Sequence, residues 1–306
     1  MKISIIGAGN VGSLSAMRIS QDGLGEVVLV DVVKGLAQGK AFDLEDARPL
    51  LKNNYNISGT DDISEIKGSD IIVVTAGLAR KPGMTREELL NKNAQILKNI
   101  CTDIKKLSPS AIVIIVTNPL DLMAYLALKI TGLKPNKLFG MGVGLDASRF
   151  ANIIAKEFNV PSTEIEATVI GSHGEGMLPL PRFTTIKGIS LDEFTDDKKI
   201  EYLINRTIGR GAEIVALLGN GSAYFAPSAA VASIVKTIVK DEKRTVGLSA
   251  YLNGEYGAKD VCLGVPCRLG KNGIEKIIEL ELNQEEKSVF AKSADSMREL
   301  IKQLPL

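Results

Sequence analysis

Two kinds of apolar pattern alternate along the first half of the chain. Lys2–Ile6, Glu26–Val30, Asp70–Thr75 and Ala111–Val116 are short runs rich in Ile and Val, with no clean alternation of apolar and polar positions. Strands buried on both faces of a parallel sheet read this way. Weaker strand signals cover Tyr55–Ser58 and Lys137–Gly140. Longer amphipathic stretches separate the strands. Over Arg86–Leu107, the residues Leu90, Ala94, Leu97, Cys101 and Ile104 recur at steps of four and three, which gives a helix one apolar face. Ser108-Pro109 then stops it. Strand–helix–strand repetition requires right-handed crossovers and predicts a doubly wound α/β sheet.

After about Gly144 the pattern changes. It predicts a helix over Asp146–Phe158, a strand over Ala167–Ile170, and helices around Lys198–Leu218 and Ala226–Lys240. Short strands follow near Arg244–Leu252, Val261–Arg268 and Ile274–Leu280. A closing helix from Gln284 carries Phe290, Ala294, Met297, Ile301 and Leu304 on one side. This is an α+β pattern, so the expected division is a first domain over 1–143 and a second over 144–306. No Pro- or Ser-rich linker separates them, and a cleft between closely packed halves is expected.

Composition narrows the function classes. With 306 residues, 45% hydrophobic and 24% charged, disorder is excluded. Thirty-seven basic against thirty-six acidic residues argue against a nucleic-acid-binding protein. The longest apolar runs are strand-sized, far short of the ~20 residues that span a bilayer. The start of the chain has no cleavage pattern after an apolar stretch, so no signal peptide is expected. Cys101, Cys262 and Cys267 include no CxxC pair and suit a reduced, cytoplasmic protein. No metal site is expected. The rarest residue is the most informative, because the chain has a single histidine, His173.

Gly7-Ala8-Gly9-Asn10-Val11-Gly12 is a GxGxxG run placed directly after a strand and at the start of a helix. Its glycines serve a tight turn, a close approach to a pyrophosphate, and helix–strand packing. The phosphates would rest on the helix N-terminus. Asp31 ends the second strand, where a carboxylate meets a ribose 2′-hydroxyl. The same charge repels a 2′-phosphate, and Val32 and Val33 offer no arginine. A Rossmann-type domain binding NAD rather than NADP is therefore expected.

Two further segments carry chemistry. The first, Ala76 to Arg86, leaves the sheet at a strand C-terminus, where ligand crevices of open α/β sheets lie. Its Gly and Pro content suits a lid, and closure would bring Arg80 and Arg86 onto an anion. The second is Asp146-Ala147-Ser148-Arg149, in which Asp146, Arg149 and Ile153 share a helix face. The two charges can satisfy each other as a structural ion pair. Alternatively each has an outside partner, a substrate carboxylate for Arg149 and an imidazole for Asp146. That imidazole can only be His173, which glycine-rich Gly171-Ser172-His173-Gly174 leaves uncrowded. Oxidising an alcohol by hydride loss needs a base for the hydroxyl proton, and histidine has a suitable pKa.

GAGNVG, Asp31, ARKPGMTR, VTNP at Val116–Pro119, LDASRF and SHG follow the order and spacing of the lactate/malate dehydrogenase superfamily. The resemblance runs from residue 1 to the C-terminal helix, and Arg80 makes it most similar to the malate dehydrogenases of the lactate-dehydrogenase-like subgroup. It implies reversible NAD-dependent oxidation of (S)-malate to oxaloacetate. It also implies roles: His173 as acid/base, Asp146 as its orienting carboxylate, and Arg149 as the clamp on the C1 carboxylate. Arg86 would polarise the C2 carbonyl, and Asn118 would hydrogen-bond substrate and cofactor. Asn93, Val116 and Thr117 match cofactor-contacting positions, beside Gly7, Ala8, Gly9, Asn10, Val11, Gly12 and Asp31. Arg80 would pair with the C4 carboxylate, where lactate dehydrogenases carry glutamine.

The chain departs from the family at two places. Glu175 stands where an aspartate is usual, which touches local loop geometry, and Asn220 stands where many relatives have lysine. Ala223 leaves room for a dicarboxylate. A lactate dehydrogenase is disfavoured by Arg80, and an NAD-dependent glycoside hydrolase by the lack of a Cys–His ligand pair. A catalytically silent NAD-binding protein is disfavoured by the intact His, Asp and Arg set. The resemblance implies a homodimer or homotetramer, and with no extension before Met1-Lys2-Ile3 the arm with which some lactate dehydrogenases tetramerise is not expected.

Overall fold

Unbroken burial explains why the first-half strands lack alternation. Among the described residues these are β1 (Lys2–Ile6), β2 (Glu26–Val30), β3 (Ile57–Thr60), β4 (Ile71–Val74), β5 (Ile112–Ile115) and β6 (Leu138–Gly140). They pair in parallel in the order β3-β2-β1-β4-β5-β6. Every residue of β4 and β5 is buried. Helices α1 (Asn10–Gln21), α2 (Leu36–Leu51), α3 (Arg86–Leu107) and α4 (Leu120–Thr131) connect them. Chain order reverses at β1, between β2 and β4, and the loops leaving β1 and β4 open a crevice there. The computed structural model describes residues 1–78, 86–174, 176–219 and 221–304. Most of the predicted lid, with Arg80, lies outside them, as do Glu175, Asn220 and the side chain of Arg86.

Two of these helices escape a periodicity reading for opposite reasons. Helix α2 buries only Ala37 and Ala41 and leaves Phe42 and Leu50 exposed, so it has no wide apolar face. Helix α4 is buried almost all round, so apolar residues mark no face at all. Strand β3 starts at Ile57 rather than Tyr55, because Tyr55 is spent on packing under α2. Its hydroxyl donates to the Leu44 carbonyl at 2.5 Å.

The second half comprises α5 (Gly144–Phe158), β7 (Ile165–Glu166), β8 (Val169–Gly171), β9 (Met177–Pro179), β10 (Thr185–Ile186) and β11 (Ile189–Ser190). Then come α6 (Leu191–Phe194), α7 (Asp197–Leu218), α8 (Phe225–Val239), β12 (Arg244–Asn253), β13 (Lys259–Gly270), β14 (Gly273–Ile277) and α9 (Gln284–Ile301). Strands β7 and β9–β11 are two or three residues long, too short to write a pattern. The halves are more continuous than a cleft between two lobes suggests. Strand β12 pairs antiparallel with β6 at Ser249–Gly140, and β13 pairs with β8 at Gly264–Gly171. The main core accordingly runs from Ile3 through Leu263 to Phe290, while a smaller cluster around Phe150, Ile154 and Leu203 lies under α5 and α7.

No helix among the described residues is long and apolar enough to cross a membrane. All three cysteines are buried free thiols, and burial pushes Cys101 up to about 12, which removes it as a nucleophile.

Candidate active site

The glycine turn after β1 is built for contact on two sides and opening on the third. Gly7 adopts φ +108°, and a Cβ there would sit 2.6 Å from the Ala76 nitrogen. A Cβ on Gly12 would lie 1.8 Å from the Gly7 carbonyl oxygen, so only glycine lets α1 pack this close. A Cβ on Gly9 would meet nothing within 4 Å. Gly9 also caps α1 without a side-chain hydrogen bond, so the first-turn N–H groups, of Asn10, Val11 and Gly12, are left for an anion. These features fit a bound pyrophosphate.

Asp31 already has local work in this turn. Its Oδ2 accepts the Ala8 N–H at 2.6 Å and its Oδ1 accepts the Val33 N–H at 2.9 Å. Each oxygen keeps a further lone pair, so the carboxylate can tie β2 to the turn and still accept a ribose hydroxyl. Val32, 94% exposed, continues the rim as apolar surface. Lys40, which the sequence pattern did not single out, reaches across from α2. Its Nζ donates to the Ala8 carbonyl at 2.6 Å and to Ser13 Oγ at 3.0 Å.

The opposite wall is formed by the segments after β4 and β5, and Asn93 holds them together. It is buried, and its Nδ2 donates to the Asn118 carbonyl at 2.8 Å and the Leu78 carbonyl at 3.2 Å. Its Oδ1 accepts the Leu78 N–H at 2.8 Å. Both amide hydrogens are thus committed to the walls of the crevice. Val116 and Thr117 are buried, and Thr117 Oγ1 donates to the Ala76 carbonyl at 2.7 Å. Asn118 is exposed and lines a cavity of about 950 Å³, together with Asp121, Ser172, His173, Ser293 and Met297.

Helix α5 supplies a fully buried carboxylate in its first turn. Asp146 Oδ2 lies 2.6 Å from His173 Nδ1, and Oδ1 accepts from Arg149 Nη1 at 3.1 Å. Asp146 is therefore a partner of the imidazole and of the guanidinium at once. With a carboxylate on Nδ1, that nitrogen carries the hydrogen, and Nε2 is the atom left to exchange a proton. Arg149 Nε is buried without a hydrogen-bond partner among the described residues, so the guanidinium retains donors for a ligand.

Several effects compete at the imidazole. Burial lowers the His173 pKa, while the Asp146 hydrogen bond and the charges of Asp146 and Asp121 raise it, with Arg149 opposing. The net shift is upward from 6.5. The turn itself depends on Gly174, at φ +98°, which reverses the chain after His173.

Sequence reasoning missed Asp121. It is buried at the start of α4, and its Oδ2 accepts the His173 N–H at 2.8 Å and the Ser172 hydroxyl at 3.2 Å. Burial pushes this carboxyl upward, against the hydrogen bonds and the nearby imidazole. The signal was present, since a carboxylate at the head of the mostly apolar stretch LDLMAYLALKIT needs a buried partner. Ser293 of α9 was missed too, and it accepts the Ser172 N–H at 3.1 Å.

Residues 1–140 match the family model for the lactate/malate dehydrogenase NAD-binding domain, and residues 144–305 match that for the lactate/malate dehydrogenase α/β C-terminal domain. A malate dehydrogenase of Methanosarcina mazei is 47% identical over 306 residues, covering 100% of both chains. The apo malate dehydrogenase of Picrophilus torridus superposes with a TM-score of 0.95 at 41% identity, covering 98% of this chain and 96% of that one. The lactate dehydrogenase of Cryptosporidium parvum, complexed with lactic acid and nicotinamide adenine dinucleotide, superposes with a TM-score of 0.95 at 37% identity, covering 99% and 97%.

Proposed function

The chain belongs to the lactate/malate dehydrogenase family, and from that premise we infer that it is an NAD-dependent malate dehydrogenase, interconverting (S)-malate and oxaloacetate. The observation that carries the assignment of roles is the 2.6 Å pair of His173 and Asp146 at the cavity that Asn118 lines. Bound NAD supplies the hydride acceptor.

In malate oxidation His173 Nε2 takes the proton of the C2 hydroxyl, and in oxaloacetate reduction it returns one. Asp146 holds the ring in the working tautomer and stabilises the imidazolium. Arg149, already oriented by Asp146, clamps the C1 carboxylate, and Arg86 polarises the C2 oxygen. Asn118 hydrogen-bonds substrate and cofactor. The turn from Gly7 through Gly12 holds the pyrophosphate, and Asp31 favours the ribose of NAD over the 2′-phosphate of NADP. Val116 and Thr117 border the cofactor, and Asn93 acts on it by holding its walls in place. We also place the domain division after residue 143, the enzyme in the cytoplasm, and its assembly as a homodimer or homotetramer serving the tricarboxylic acid cycle.

Arg80 selects the substrate. It pairs with the C4 carboxylate of oxaloacetate, whereas the methyl group of pyruvate leaves it unpaired in a desolvated site, a penalty of roughly 3–5 kcal/mol. That corresponds to about 10²–10⁴ in relative rate. The test follows NADH absorbance with oxaloacetate, with pyruvate and with neither, in the parent and in Arg80→Gln. The parent should turn over oxaloacetate, and the variant should shift toward pyruvate. Folded protein with no oxaloacetate-dependent rate would sink the reading, and an unchanged preference would remove Arg80 from its role.

A further inference from the structure

The histidine is held twice, and only one of its two supports belongs to the acid/base pair. Asp146 grips the imidazole from α5. Asp121, on α4 in the other half of the chain, grips the backbone. Its Oδ2 accepts the N–H of His173 at 2.8 Å and the hydroxyl of Ser172 at 3.2 Å. The adjacent N–H, that of Ser172, donates to Ser293 Oγ at 3.1 Å and to the Gly176 carbonyl at 3.2 Å. Two successive amides of one turn are therefore pinned by side chains from α4 and α9, which are far apart in sequence.

This matters because the turn is a weak support by itself. It follows a three-residue strand, and Gly171 and Gly174 on its two sides both have positive φ. Glycine-flanked backbone has many conformations to lose, and a base displaced by about 1 Å costs on the order of 10²-fold in rate. Asp121 is also placed at a cost. It is buried beside Ser249, and burial pushes its pKa up against the hydrogen bonds of Ser249, His173 and Ser172. Asp121 is the one buried carboxylate of α4, most of whose buried residues are apolar, and a leucine there would avoid that penalty.

We propose that Asp121 is a positioning residue for the catalytic base, fixing the backbone of His173 across the junction between the two halves so that Nε2 faces the substrate. The proposal rests on the reading of His173 as the acid/base. Asp121 touches neither substrate nor cofactor in this role. The positioning role requires only an acceptor on the His173 amide, which an asparagine oxygen can supply and an alanine cannot. The charge of Asp121, which helps to raise the imidazole pKa, is a separate contribution that asparagine loses.

The single histidine makes the test direct, because labelling with [15N]histidine gives one backbone amide signal, that of His173. In the parent this amide should lie downfield and exchange slowly with solvent. In Asp121→Ala it should lose both properties. Turnover number should fall about 10- to 100-fold, with NADH affinity unchanged in fluorescence titration. The isotope effect on kcat with NADH deuterated at the transferred position should grow, since a misplaced base slows chemistry rather than product release. Loss of folded enzyme alone would lower the rate without changing that isotope effect. Asp121→Asn should recover kcat to within about threefold of the parent.

A folded Asp121→Ala with parental kcat and a parental amide signal would overturn the proposal. So would an Asp121→Asn variant as impaired as the alanine variant. If the alanine variant does not fold, the asparagine variant and the parental amide decide, and fast exchange of that amide in the parent is an overturning result. Failure of the reading beneath it would look different, because the parent itself would then show no oxaloacetate-dependent rate while its amide stayed protected.

Discussion

The glycine turn and the histidine turn do comparable work by opposite means. Around β1 nearly every feature comes from residues close in sequence: the glycines from Gly7 to Gly12, the N-terminus of α1, and Asp31 at the end of the next strand. Around His173 the partners come from afar, with Asp146 twenty-seven positions away, Asp121 fifty-two, and Ser293 one hundred and twenty-one from Ser172. A binding surface made of backbone N–H groups can be specified by one local motif. A proton-transfer site needs an isolated side chain with buried charges on several sides, and only tertiary structure can deliver those.

The comparison predicts that damage at the two ends separates cleanly. The largest effect belongs to His173→Asn, which should lower kcat in both directions by about 10²–10⁴-fold, the usual share of a general acid/base. NADH affinity should stay within about twofold, because the histidine turn is not part of the turn that holds the pyrophosphate. Steady-state rates and a fluorescence titration on the same preparation check both halves of the statement. Near-full turnover would be decisive against the mechanism, since the chain has no second histidine to take over.

Asp31→Ser should do the reverse. It removes a carboxylate that ties the turn to β2 and that we assign to the ribose. NADH affinity should weaken by about 10- to 100-fold, on the scale of one or two charge-assisted hydrogen bonds. With NADH saturating, kcat should be preserved. If instead kcat fell while affinity held, the two turns would not divide binding and chemistry between them.

The same contrast explains what could be read from sequence. Strands β1, β2, β4 and β5 and helices α3, α5 and α9 were legible because each writes a burial pattern into its own residues. Helix α4 was not, because burial on all sides erases periodicity, and with it went Asp121. Helix α2 was not, because it buries little, and with it went Lys40. Asp146 and His173 could be named as candidates from their settings, helix face in one case and glycines in the other. Their 2.6 Å contact is a property of β8 meeting α5, and no local pattern states it.

The smallest effect is a shift in pH dependence, and it distinguishes a buried, doubly supported imidazole from a free one. Burial lowers the His173 pKa, but Asp146 on α5 and Asp121 on α4 outweigh burial and the opposing charge of Arg149, so the net direction is upward from 6.5. A raised folded pKa means that the protonated form is favoured by folding. The stability gained is therefore fully present below the unfolded value of about 6.5 and is lost as pH rises through the folded value. Catalysis has the matching sign. For oxaloacetate reduction, which needs the imidazolium, kcat/KM should be level at low pH and fall above an inflection that lies above 6.5. For malate oxidation, which needs the neutral ring, kcat/KM should rise through the same inflection and then level. The imidazole proton resonance of the one histidine should titrate there too in the free enzyme. An inflection below 6.5 would mean that burial wins at this site, and that the carboxylates on α5 and α4 do not hold the charge that their geometry assigns to them.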